Sequence, residues 1–270
     1  MPELPEVEAV CRRIRGAIIG KRIERVIVMR PSVIRPQSPA RFVSSVEGES
    51  IRTVSRRGKN VLLELGSGSV VRIHLRMTGD LRVLPDSALR PLTARMLFAF
   101  VDGSALILDD MRALGKVHVL RKEALVRELA SLGPEPLSPL FTPEAFAGTA
   151  RRSRQPAKLF LMDQRRVAGL GNIYAAETLF RARIHPQVPM NRLTSQKLKK
   201  LHSAIVSVLI EAVESAERAY SQPGQIAEGE WFPVAVYGRE GEPCPSCKRM
   251  IRRIKQGGRS TYYCPGCQRK

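Results

Sequence analysis

The chain contains no apolar run long enough to cross a membrane. Its first 20 residues carry charges and prolines where a secretory leader would carry an apolar stretch, so the expected location is the cytoplasm, with the nucleoid, and no membrane partner. Acidic side chains are scarce: 25 Asp and Glu stand against 45 Lys and Arg, a net charge of +20 over 270 residues. That excess repels itself in a compact state unless a polyanion shares the surface. Nucleic acid is the first candidate, because neutralising phosphates releases counterions. An anionic membrane surface would call for a basic amphipathic helix, and here the basic residues are spread along the chain. Cysteine is sparse too, at five, and a reducing compartment disfavours disulfides. No long internal repeat is present. What is there is globular: 43% of residues are hydrophobic, and the length allows two domains with a sizeable core.

The start reads Met1-Pro2-Glu3-Leu4-Pro5-Glu6. A small second residue favours removal of the initiator Met, which would leave Pro2 as a secondary amine beside the Glu3 carboxylate. Such an amine attacks an aldehyde-like carbon to give an iminium ion, and a neighbouring carboxylate can move the protons. The plain alternative is a proline that merely follows a start codon. Val7–Ile19 has helical spacing at Val7, Val10, Cys11, Ile14 and Ile18. Strand-like runs follow at residues 23–29, 50–55, 60–65, 70–76, 95–100, 105–109 and 116–120, separated by turn signals such as Gly66-Ser67-Gly68. The spacing predicts an antiparallel sandwich or barrel in a domain over residues 1–131. Three prolines in Leu132–Pro139 predict a linker over 132–140. Helical patterns then run over 157–163, 173–183 and 194 to about 218, in a domain over 141–232. Gly169-Leu170-Gly171 precedes the second of these, with Asn172 expected as its N-cap. That turn is either a simple loop or, with its unpaired helix N–H groups, a phosphate clamp.

Cys244-x2-Cys247 and Cys264-x2-Cys267, 16 residues apart, have the spacing of a four-cysteine zinc ribbon over 233–270. Four thiolates close the coordination sphere, so the single Zn2+ is structural. Cys11 falls on the apolar face of the first helix and is expected in the core. The ribbon segment, Arg239–Lys270, holds nine Lys or Arg and two Glu. Its predicted hairpin turns at Gln256-Gly257-Gly258-Arg259, presenting Arg259 to a groove or phosphate, or simply to solvent.

The Pro2-Glu3 start, the Gly169–Tyr174 turn and the four-cysteine tail together resemble the formamidopyrimidine-DNA glycosylase/endonuclease VIII family. Residues 57–59 (Arg-Gly-Lys), 74–79, 132–137 and 237–244 also match its motifs. The resemblance spans essentially the whole chain. It implies an α+β fold: an N-terminal helix with an antiparallel β-sandwich, a helix–two-turn–helix domain and a zinc ribbon, with DNA in the cleft between the halves. It implies a monomeric base-excision repair enzyme, a DNA glycosylase with abasic-site lyase activity, acting on double-stranded DNA with a damaged base. Pro2 would attack C1′ and form a Schiff base, Glu3 would move protons, and Lys59 would assist catalysis. His74, Asn172, Tyr237 and Arg259 would hold backbone phosphates. Glu6, Lys158 and Tyr220 would lie near the extruded base, with a helix-start carboxylate and a solvated lysine as the plain readings of the first two. Met77, Arg112 and Leu114 would fill the void in the duplex, with core packing the alternative for Met77. The contrasting classes are a non-catalytic damaged-DNA binder of the same fold and an RNA-binding zinc-ribbon protein.

The chain also departs from the family pattern. Asp110-Met111-Arg112-Ala113-Leu114-Gly115 stands where Asp-Pro-Arg-Arg-Phe-Gly is usual, so the stacking aromatic is replaced by Leu114. Arg76 stands where glycine is common. The base-capping segment, residues 217–226, resembles the endonuclease VIII branch through its Tyr-x-x-x-Gly-Gln. The implied lesion is thus a pyrimidine-type, formamidopyrimidine or bulky, crosslinked base rather than 8-oxoguanine.

Overall fold

A computed structural model describes residues 2–220 and 232–270 of the chain. They divide into two units. The first runs to Ser131 and takes in the end of a long helix from Ala216; the second holds Leu132–Ser215 and the C-terminal segment.

In the first unit, helix α1 (Leu4–Ile18) begins three residues earlier than its apolar spacing predicts. The cause is a capping box. The Glu6 carboxylate accepts the Glu3 backbone N–H at 2.8 Å, the Glu3 side chain faces the Glu6 N–H, and Pro5 fits a first turn that needs no donor. The face Val7, Val10, Cys11, Ile14, Ile18 is buried, as the spacing requires. Each such side chain contributes about 1.5–3 kcal/mol of transfer free energy.

The strands are β1 (Ile23–Val28), β2 (Ile51–Arg57), β3 (Asn60–Leu65), β4 (Ser69–His74), β5 (Gly79–Leu84), β6 (Ala94–Phe100), β7 (Ala105–Asp110) and β8 (Lys116–Arg121). They form two antiparallel four-stranded sheets, ordered β1-β6-β7-β5 and β2-β3-β4-β8. The inner faces of both sheets share one core with α1 and with Phe42 of a short helix α2 (Pro39–Ser44). A helix α3 (Lys122–Leu129) follows β8. Strand β5 is absent from the sequence reading because Asp80 and Arg82 interrupt its apolar pattern. Asp80 is tolerated inside because Arg13 reaches it at 2.5 Å and also donates to the Leu81 carbonyl. Strand β4 stops at His74, short of the expected Arg76, because Arg76 adopts a left-handed conformation with φ 60°.

In the second unit, α4 (Pro143–Arg151), α5 (Ala157–Met162), α6 (Asn172–Arg181) and α7 (Ser195–Tyr220) precede a hairpin, β9 (Arg252–Gln256) and β10 (Arg259–Tyr263). Helix α4, missed in the sequence, is short and is capped by the Thr142 hydroxyl. The expected linker is not a loose tether at its start. Gly133 donates to Gln164 and Ala168 donates to Pro134. A Cβ at Gly133 would lie 2.7 Å from the Arg165 carbonyl oxygen, so only glycine fits there.

One ion pair fastens α1 to the β2–β3 turn. Arg56 donates to Glu8 at 2.8 Å and to the Gly58 carbonyl at 3.1 Å, with only 8% of the Arg56 side chain exposed. Burial pushes the Glu8 carboxyl up, but the hydrogen bonds and charges of Arg56 and Arg12 outweigh it and hold its pKa below the ordinary 4.5. A depressed carboxyl stabilises the fold above its unfolded pKa, and the contribution is lost as pH falls through the folded value. Glu8→Gln should therefore cost about 3 kcal/mol at pH 7, by removing the charge that Glu8 sets against the buried Arg56. In denaturant unfolding the gap to wild type should shrink as pH falls below 4.5; a gap independent of pH would contradict this role.

Candidate active site and nucleic-acid interface

The start of the chain is not a frayed end. Pro2, Glu3 and Glu6 are all buried at the head of α1. Glu6 is held as the reciprocal cap described above, so its helix-start reading is met by the geometry; Met1 lies outside the described residues. Lys59 sits in the β2–β3 turn, also buried, next to Gly58 with φ 57°. Asn60 closes that turn by donating to the Arg57 carbonyl at 3.0 Å and accepting from Arg72 at 2.9 Å.

Strand register brings His74 opposite Asn60, beside Lys59. The His74 Nδ1 accepts the backbone N–H of Arg76 at 3.0 Å. Burial first, then the charges of Arg76, Lys59 and Arg72, push its pKa down to about 4. A neutral ring with Nδ1 occupied as acceptor carries its proton on Nε2, which leaves one neutral donor for an incoming oxygen.

The loop after His74 carries Met77, and Gly79 ends it. A Cβ at Gly79 would lie 2.4 Å from the Leu75 carbonyl oxygen, so the loop can close only on glycine. A second loop, residues 111–114, lies beside it. The link is Asp110, fully buried, a residue to which the sequence reading gave no role. One oxygen accepts the Thr78 hydroxyl at 2.5 Å and the Arg112 N–H at 3.2 Å, and the other accepts the Gly115 N–H at 2.7 Å. The structure thus brings Met77, Arg112 and Leu114 to one end of the unit. Arg112 is exposed there, with Met111 73% and Leu114 39% exposed around it, and Met77 is half-buried rather than part of the core. Exposed apolar side chains around a cation suit a surface that stacked bases will cover. The only sequence signal for Asp110 was a carboxylate at a strand end, two residues before Arg112. The left-handed Arg76 explains why glycine is common at that position.

The second unit carries a different set. Gln164 organises the turn before α6, accepting from Gly169 at 2.9 Å and donating to Leu170 at 2.7 Å. Gly171, in extended conformation, takes the cap position expected for Asn172, which becomes the first helical residue. The Asn172 Oδ1 is buried with no hydrogen-bond partner. Tyr237 is positioned through its backbone. The buried Glu177 of α6 accepts N–H groups from Ala235, Val236 and Tyr237 at 2.8, 3.0 and 2.8 Å. Burial pushes the Glu177 carboxyl up, against those three donors. Sequence reasoning missed Glu177 because nothing local marks it. The Tyr237 ring meets Tyr262 edge-on at 5.3 Å. Arg259 is exposed at the hairpin tip, after Gly257 and Gly258 with φ 54° and 76°. Lys158 is not the solvated lysine of its plain alternative reading. Only 1% exposed, it donates to the Ser260 carbonyl at 2.8 Å and the Thr261 hydroxyl at 2.7 Å, fastening α5 to β10. The side chain of Tyr220 and residues 221–231, with most of the base-capping segment, lie outside the described residues.

The four ribbon cysteines form a metal site. Their Sγ atoms all lie within 4.8 Å of one another, with 3.8 Å between Cys244 and Cys267 and 3.3 Å between Cys247 and Cys264. Tetrahedral thiolates at a metal–sulfur distance of about 2.3 Å would stand about 3.8 Å apart, so the donors fit. The Arg249 backbone N–H draws the Cys247 thiol down to about 7. Burial and the neighbouring thiols push Cys267 up to about 12. A cation removes that conflict, because it lets all four ionise together.

Comparison with known proteins agrees along the whole chain. The formamidopyrimidine-DNA glycosylase N-terminal domain model matches residues 1–117, the formamidopyrimidine-DNA glycosylase H2TH domain 132–222, and the zinc finger found in FPG and IleRS 241–269. The chain is 42% identical to the formamidopyrimidine-DNA glycosylase of Geobacillus kaustophilus, covering 100% of both chains. It is 40% identical to that of Chloroflexus aurantiacus, covering 99% of this chain and 98% of the relative. A solved structure of the Lactococcus lactis enzyme, non-covalently bound to DNA with an AP site, superposes with a TM-score of 0.88 at 32% identity, covering 99% and 100%. The same enzyme bound to DNA containing N7-benzyl-Fapy-dG gives 0.89 at 31%, covering 100% of each.

The His74 geometry yields a test by NMR. Its folded pKa lies below the ordinary 6.5, so it stays neutral in the folded chain as pH falls from 6.5 towards 4, while the unfolded chain takes up the proton and stability declines. The ring resonances should show the Nε2-protonated tautomer at pH 7 and titrate far below 6.5. A titration at or above 6.5, or the other tautomer, would contradict the assigned donor.

Proposed function

The chain belongs to the formamidopyrimidine-DNA glycosylase family, and on that premise we propose that it excises damaged bases from duplex DNA and then cleaves the strand as a lyase. The observation that carries this reading is the buried chain start. Pro2 and Glu3 are enclosed at the head of α1, in a unit where the Arg56–Glu8 pair holds the turn of Lys59 against the same helix.

With Met1 removed, the Pro2 nitrogen is a secondary amine at the positive end of a helix, which favours its neutral, nucleophilic form. Its lone pair forms a bond to C1′ as the glycosidic bond breaks, and the bonding electrons and a proton leave with the base. Protonation of O4′ by the Glu3 carboxyl opens the sugar and gives the iminium ion. Loss of a proton from C2′ then expels the 3′ phosphate as a β-elimination. Lys59 supplies positive charge beside this centre, and the neutral His74 donates to a phosphate oxygen. In the second unit Asn172, Tyr237 and Arg259 take further phosphates of the same strand. Met77, Arg112 and Leu114 enter the stack where the nucleotide has left. Extrusion costs a few kcal/mol, which several charge-assisted contacts offset.

The ribbon holds one structural zinc ion. With four thiolates engaged there is no open coordination position, so its contribution is to fix the hairpin that carries Arg259. As to the lesion, the endonuclease VIII-like segment at residues 217–226 and the softer Leu114 wedge favour pyrimidine-type, formamidopyrimidine or bulky, crosslinked bases over 8-oxoguanine. The L. lactis relative has been crystallised with formamidopyrimidine lesions, one carrying an N7-benzyl group.

A panel of duplexes with formamidopyrimidine, N7-substituted formamidopyrimidine, thymine glycol and 8-oxoguanine tests both parts. The formamidopyrimidines and thymine glycol should be excised faster than 8-oxoguanine and the strand cut at the same site, and Pro2→Gly should lose both activities. Faster release of 8-oxoguanine opposite cytosine overturns the lesion preference. Full activity of Pro2→Gly overturns the nucleophile.

A further inference from the structure

The second unit carries a basic surface that the residues above do not use. One concavity of about 830 Å³ lies between the end of α6 and the start of α7, lined by Arg183, Lys197, Lys199 and Lys200 with small polar side chains. A second, of about 450 Å³, lies against Cys247 and Cys267, and Arg183, Lys197, Arg269 and Lys270 line it. A third, of about 490 Å³, shares Lys197 and Lys270 and adds Arg192. Shared side chains make the three one continuous surface. No Asp or Glu side chain lines any of them. The cations are exposed. Arg269 donates to the Gly266 carbonyl at 3.3 Å, and Arg181, also lining the first concavity, is paired with Glu211. Among the described residues the side chains of Arg183, Arg192, Lys197, Lys199 and Lys200 make no hydrogen bond or ion pair.

Two features point to a polyanion here. Lys197, Lys199 and Lys200 fall in the first six residues of α7, and its first turn has no acidic residue. Cations at that end oppose the helix dipole, whereas the cations of α4 and α6 lie in the last turn, where the dipole favours them. The arrangement is thus unfavourable for the isolated chain and becomes favourable when phosphates cover it. The second feature is position. Asn172 opens α6 and Arg183 follows its end, so the ten-residue helix separates them by about 15 Å. Arg259 opens β10 and the cysteine knuckle follows its end, about 17 Å away. Asn172 and Arg259, two of the side chains assigned to the damaged strand, thus lie at the far ends of elements whose other ends border this surface.

We propose that this surface grips the backbone of a second, undamaged duplex while the first is still bound, so that the protein passes between DNA segments without going free in solution. The proposal rests on the reading of DNA as partner, and goes beyond it in assigning a second site. Contacts of this kind are sequence-independent and salt-dependent.

The test measures release of a fluorescent lesion duplex from the full-length protein as unlabelled undamaged duplex is added, for wild type and for K197Q/K199Q/K200Q. The substitutions are exposed and glutamine is a good helix former, and a melting curve confirms folding. Wild-type release should speed up several-fold with competitor concentration, and the effect should fade at high salt. The variant should change by less than about twofold, its excision of a lesion in a short duplex being unaltered. If the triple variant fails to fold, R183Q read in the same way replaces it. Wild-type release independent of competitor, or an equal dependence in the variant, overturns the second site. Acceleration by polyglutamate but not by duplex overturns its partner class in favour of an acidic protein. Excision measured in parallel keeps the two readings apart: failure to excise counts against the proposed function, while normal excision with unaccelerated release counts only against the second site.

Discussion

The first unit turns on the ion pair between Glu8 and Arg56. Glu8 lies in the early turns of α1, which Pro2 and the N-cap Glu3 precede, and Arg56 reaches on to the Gly58 carbonyl in the turn that carries Lys59. Two elements distant in sequence are thus tied by a partly buried contact, in which geometry is more demanding than in a surface pair. The capping box at Glu3 and Glu6 sets where α1 begins, and the apolar face from Val7 to Ile18 anchors it to both sheets.

The same device recurs wherever a functional side chain sits on a loop. Asp110 holds the loops of Met77 and Arg112 together, and Glu177 gathers three N–H groups so that Tyr237 is placed through its backbone. Lys158 fastens the hairpin of Arg259 from beneath. Each is a buried charge satisfied by several partners, the condition under which such a group rigidifies its surroundings. The buried groups thus shape the frame that presents exposed cations such as Arg112 and Arg259.

Much of this was legible in the residues. The period of α1, seven of the eight sheet strands, the helix after the Gly169 turn and the four-cysteine ribbon all follow from spacing and turn chemistry. What escaped was set by distant partners. Strand β5 hides behind Asp80, whose burial makes sense only once Arg13 is beside it. The hold of Lys158 on β10 has no signal in the residues around it, and Asn172 reads as a cap until Gly171 takes that place. Asp110 and Glu177 act through backbone N–H groups, which leave no pattern in side-chain type. The preferred lesion was the least legible, because the N-terminal motifs match the formamidopyrimidine branch while residues 217–226 resemble the endonuclease VIII branch.

The central claim is that the chain start is the nucleophile, with the lysine turn beside it in support. Borohydride reduction of the protein on abasic DNA, followed by tryptic mapping of the adduct, tests it directly. The account predicts a modified peptide spanning residues 2–12, with the mass on Pro2 and Met1 absent. An adduct on the peptide containing Lys59, or on a chain start that retains Met1, would contradict it.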